Sequence, residues 1–144
     1  MQAVILTMAL AGATAWVAAA PAPVPAAPRL NQLMAEDSTY LRSLAGSAVD
    51  WHPWGPEALA EAERTGRPVF LSIGYASCLW SSRMDRETFE DPAVAALLNA
   101  GCVNVKLDRF ERPDLDRLYQ RVVEATGQRA GWPLNLWLTA KGEP

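Results

Sequence analysis

The chain has 144 residues, 50% of them hydrophobic and 20% charged, and its 13 Lys plus Arg against 16 Asp plus Glu leave a net charge of -3. That is room for one domain with a real core, and it excludes the basic field that holds nucleic acid. Two cysteines, Cys78 and Cys102, are too few for a disulfide scaffold and lack the paired spacing of a zinc site, so no metal or cofactor is expected.

From Ala3 to Ala20 there is no charged residue, and the small residues Val17 and Ala19 stand at the spacing that a signal peptidase prefers. The expected division is an export signal over 1–19, a stiff Pro/Ala-rich linker over 20–29 and a folded domain over 30–144. No Lys or Arg precedes the apolar run, so an uncleaved membrane anchor is the alternative and a misassigned start the third reading. Cleavage places the protein in the periplasm or outside the cell; membrane contact is expected only if the segment stays.

Residues 31–46 carry Leu33, Leu41 and Leu44 among polar neighbours, and Val49 to Gly55 reads as an aromatic turn with two breakers. The only histidine, His52, sits in that turn between Trp51 and Pro53 and reads as packed rather than catalytic. Pro56 suits a first helical turn and Gly66 a stop, which predicts a helix over 56–65. Val69 to Ile73, bounded by Pro68 and Gly74, predicts a strand buried on both faces. A helix over 80–89 with Met84 inward follows, then one over 93–99 capped by Asp91-Pro92, with Val94, Leu97 and Leu98 on one face.

Cys102 to Leu107 alternates as a second strand ending at Asp108, and Arg109 to Pro113 reads as a charged loop. From Pro113, Leu115, Leu118, Tyr119, Val122 and Val123 recur at helical spacing until Gly127. Trp132-Pro133 introduces a last strand over 134–138. Strands alternating with helices imply an α/β domain, and the turn signal before Pro144 reads as though another strand were due.

Cys78 lies between a buried strand and a helix start, where free amide N–H groups stabilise a thiolate. Two readings stand for it: a reactive thiol, or a partly buried cysteine without function. Three residues on stands Ser81, which cannot form a disulfide, so a mixed disulfide on Cys78 would need an outside thiol to resolve it. Cys102 reads as a small packed hydrophobe, with a bond to Cys78 as the alternative. The Asp108-Arg109 stretch reads as a solvated loop with local ion pairs, or as a charged rim beside the cysteine. Trp132-Pro133 is either a rigid turn with a cis bond that presents backbone to a peptide, or the plain start of an edge strand.

Val49-Asp50-Trp51-His52-Pro53-Trp54-Gly55, Pro68 to Tyr75, Glu87 to Asp91, Lys106 to Asp116 and Gly131-Trp132-Pro133-Leu134 resemble, in order, successive blocks of the YyaL and spermatogenesis-associated protein family. The resemblance implies a thioredoxin-like fold, here without its last strand and helix. It sets Cys78 at the first cysteine of the family's Cys-His-Trp-Cys-His pattern and Pro133 at the neighbouring cis-proline. Leu79, Ser81 and Ser82 replace the first His, the second Cys and the second His, leaving Cys78 and Trp80. The long helical-barrel region usual in the family does not follow.

Three expectations result. In the first, Cys78 is a lone nucleophile in thiol–disulfide exchange with a protein or a low-molecular-weight thiol, Trp80 covering it and Pro133 shaping the groove. In the second, the groove between Trp80 and Trp132 binds a partner without redox chemistry. In the third, the chain is a fragment of a larger family member.

Overall fold

The computed structural model describes residues 29–144; the expected export signal and nearly all of the linker lie outside them. Strand β2 (Val69–Gly74) runs through the centre because every one of its residues is buried. It pairs in parallel with β3 (Val103–Asp108), and β3 in turn with the short β1 (Trp51–Pro53). On its other side β2 pairs antiparallel with β4 (Leu134–Leu138), giving the order β1-β3-β2-β4.

Helices cover both faces. On one, Ala58 and Ala62 of α2 (Pro56–Thr65) and Tyr119 of α5 (Pro113–Ala125) pack on Val69, Leu71 and Ile73 and on Val103, Val105 and Leu107. The other is covered by Leu33 of a 3-10 turn (Gln32–Ala35), α1 (Thr39–Ser43), α3 (Leu79–Glu87) and Ala95 of α4 (Pro92–Gly101), which gather round Trp51, Phe70 and Phe89. Two-sided coverage is what parallel strands require.

Local signals set the helix limits. Pro56 and Pro92 occupy first-turn positions, and the Asp91 carboxylate accepts the amides of Ala93 and Val94. Gly66 closes α2 at φ 66°, a left-handed conformation that glycine adopts without a side-chain penalty.

The structure adds to the sequence reading at four points. The aromatic turn contains strand β1, because Trp51, His52 and Pro53 register against Asn104, Val105 and Lys106; proline is tolerated there because β1 is an edge strand. β3 alternates in sequence yet is buried throughout, Asn104 and Lys106 included. In α4 Ala95 turns inward, while Leu97 is exposed. In α5 Leu118 is exposed, and Asp116 joins Tyr119 inside.

Lys106 is the most demanding of these, since a buried ammonium needs full compensation. Its Nζ donates to Asp85 Oδ1 at 2.5 Å and to Ser72 Oγ at 3.1 Å, and it lies over the rings of Phe89 (4.7 Å) and Trp51 (4.9 Å). Tyr40 donates to the other Asp85 oxygen at 2.9 Å. Burial holds Lys106 below the ordinary lysine pKa, with Asp85 opposing, and burial, followed by the charge of Asp85, pushes Tyr40 up.

Candidate functional site

Strand β2 ends at Gly74, and the chain turns through Tyr75-Ala76-Ser77 to Cys78, which caps α3. The cap is the thiol itself: Sγ accepts the Ser81 amide at 3.4 Å, a place normally held by a hydroxyl or carboxylate oxygen. The Cys78 amide donates to the Tyr75 carbonyl at 3.1 Å. Across from it, the thiol faces the carbonyl of Trp132 at 3.9 Å, within sulfur's longer reach. The Trp132-Pro133 bond is cis, as one of the two sequence readings held.

Cys78 is only 7% exposed. That burial disfavours the thiolate, but donors outweigh it: the Ser81 hydroxyl and amide, the Trp80 amide and the Tyr75 hydroxyl together hold the thiol below its ordinary pKa. The Ser81 hydroxyl is itself fully buried and lacks a hydrogen-bond partner among the described residues in the resting arrangement. Its proton is free to turn to the sulfur once the thiol ionises. Space at this point is tight: a Cβ on Gly74 would come within 2.6 Å of the Tyr40 hydroxyl and 2.8 Å of Ser81 Oγ, so only glycine lets β2 pass.

Trp80, Trp132 and Pro133, expected to form a groove, do line one together. It holds about 390 Å³ and is completed by Arg83, Met84, Glu87 and Thr88. Trp80 is 61% exposed and forms one wall of the groove, whose lining does not include Cys78. A larger open depression of about 550 Å³, between the end of α2 and β4, includes neither cysteine nor any residue of this groove.

Asp108 departs from the solvated-loop reading. It closes β3 at 7% exposure, accepting the Ser38 hydroxyl at 2.7 Å and the Phe110 amide at 2.9 Å, because β3 brings it under α1 before the charged loop begins. Arg109, its side chain 29% exposed, does not line the groove; its guanidinium lies 3.9 Å from the centre of the Trp132 ring and 5.2 Å from that of Tyr75. Cys102, 8% exposed, precedes Val103, which pairs with Val69 at the far end of β2. The length of β2, about 17 Å, separates it from the Cys78 end, which excludes a Cys78–Cys102 bond; both are free.

The sequence reading gave no role to Tyr75, Tyr40, Asp85 or Asp116, although Tyr75 and Asp116 lie within the blocks that carry the family resemblance. Residues 30–144 match the family described as Thioredox_DsbH, a protein of unknown function (DUF255). The chain belongs to that family. Spermatogenesis-associated protein 20 of Mus musculus is 44% identical over 123 residues, covering 85% of this chain and 16% of that protein. The Homo sapiens protein of the same name is 45% identical over 114 residues, covering 79% and 14%. The chain thus spans about a sixth of the length of these relatives. A solved thioredoxin from Thermus thermophilus superposes with a TM-score of 0.51 at 28% identity, over 62% of this chain and 64% of that one. The family's domain is thioredoxin-like in fold, and in this member Ser81 stands where the resemblance puts the second cysteine.

Proposed function

We propose that this protein performs monothiol thiol–disulfide exchange through Cys78 in the cell envelope. The observation that carries the reading is the cap itself: the one thiol at the head of α3 receives the donors that favour its thiolate. The Cys78 thiolate attacks one sulfur of a disulfide, a new S–S bond forms to that sulfur, and the old bond breaks. The other sulfur leaves as a thiolate and takes a proton from solvent. No second thiol stands at Ser81, so an external thiol, from a protein or a small molecule, attacks the mixed disulfide and restores Cys78. The envelope location rests on the uncharged run from Ala3 to Ala20 and on the persistence of disulfides in oxidising compartments.

A second reading, a binding module without redox chemistry, is favoured by one observation: the groove of Trp80, Trp132 and Pro133 is open while Cys78 is nearly covered. Intact-mass measurement after incubation with glutathione disulfide separates the two. Exchange predicts one glutathione adduct on the parent and on Cys102→Ser, and none on Cys78→Ser. An unmodified parent would leave the binding reading.

A further inference from the structure

Asp116 is 3% exposed, although it stands in the first turn of α5. A buried carboxylate requires partners, and those of Asp116 converge on one segment. Oδ1 accepts the Trp132 indole N–H at 2.8 Å and the Gln120 amide at 3.4 Å, and the same Gln120 amide donates to the Gly131 carbonyl at 3.3 Å. Oδ2 lies 3.6 Å from Arg109 Nε. The Arg109 guanidinium covers the face of the ring whose edge Asp116 holds, and Tyr75 packs edge-on against that ring at 5.9 Å.

Both ends of this cluster meet the thiol. Trp132 supplies the carbonyl opposite Sγ, and Tyr75 opens the turn into Cys78, its carbonyl accepting the Cys78 amide. We infer that Asp116 is a positioning residue: by fixing Trp132 at its edge directly and at its face through Arg109, it sets Trp132-Pro133 and Tyr75 around Cys78. The inference rests on the monothiol reading, because it is the reactivity of Cys78 that the arrangement serves. Nothing in it requires Asp116 to touch a substrate.

The test uses the full chain with Cys102→Ser, comparing Asp116→Ala and Asp116→Asn with the parent in the pH dependence of Cys78 alkylation, in hydrogen exchange of the Trp132 indole and in thermal melts. In Asp116→Ala the indole proton should exchange at least about tenfold faster. Release of Trp132 frees the Tyr75 hydroxyl as well, so the alkylation midpoint should rise by about half a unit, or about threefold less thiolate at neutral pH. Asp116→Asn keeps an acceptor for the indole and should restore much of both readouts. An Asp116→Ala midpoint equal to or below the parent's, or an indole as protected as the parent's, overturns the inference. If Asp116→Ala does not melt cooperatively, Trp132→Phe removes the same hydrogen bond from the other side, and an unraised midpoint there overturns it equally. A parent midpoint at the ordinary thiol value would instead sink the monothiol reading, while the difference between variant and parent still judges Asp116.

Discussion

Ser81→Cys should turn a chain that cannot close a disulfide at its site into one that does. Cys78 is the cap of α3 and Ser81 its third helical residue, the pair of positions in which each side chain can reach the other's backbone amide in a reciprocal cap. The Ser81 amide already reaches Cys78 Sγ, and the Ser81 hydroxyl forms no hydrogen bond that the change would break. In a Cys102→Ser background, mild oxidation should lower the mass by two hydrogens and block alkylation of Cys78 until a reductant is added. The parent should keep its thiol under the same treatment. Two persistent free thiols in Ser81→Cys would show that the site has lost the shape of a dithiol centre and not merely one sulfur.

Asp85→Ala should produce the largest loss of stability. Among the described residues it leaves the Lys106 ammonium in the core with Ser72 as its only hydrogen-bond acceptor, at a cost of about 3–5 kcal/mol near neutral pH. The deficit should shrink as pH rises. Burial already lowers the Lys106 pKa, and removing Asp85 removes the carboxylate that opposed it. In the folded variant Lys106 therefore loses its proton at a pH where the unfolded chain, with lysine near 10.4, still keeps it. The unfolded state then binds more protons, so stability increases with pH across that window. Urea unfolding at pH 7 and pH 9 measures the change, and adding Lys106→Met to Asp85→Ala should recover part of the loss at pH 7. A variant as stable as the parent at pH 7 would mean that Asp85 does not compensate the lysine.

What was legible in the sequence followed from local rules. Pro56 and Gly66 delimit α2, Asp91 caps α4, and the apolar run of β2 marks a central strand, because each of these signals acts within a few residues. The site was half legible for the same reason: the strand-to-helix junction at Cys78 and the Trp132-Pro133 turn are local features. Asp116, Asp85 and Lys106 were not. Periodicity assigns charged residues to solvent, and these three are buried because partners on other elements reach them: Trp132 and Arg109 for Asp116, and Tyr40, Trp51 and Phe89 around the Asp85–Lys106 pair. β1 escaped notice because three residues that include a proline make a strand only through their register with β3.

The measurement that bears most directly on the central claim is the pH dependence of Cys78 alkylation in the Cys102→Ser chain. The fold lowers the pKa of Cys78, so half-maximal reaction should come at a lower pH than for the same cysteine in the urea-unfolded chain, and the rate at neutral pH should exceed that of a free thiol. The thiolate then contributes stability that is complete above about 8.5 and lost as pH falls through the folded value. A midpoint at or above that of the unfolded chain, with slow reaction, would contradict the account and leave a thioredoxin-like domain whose function is to bind.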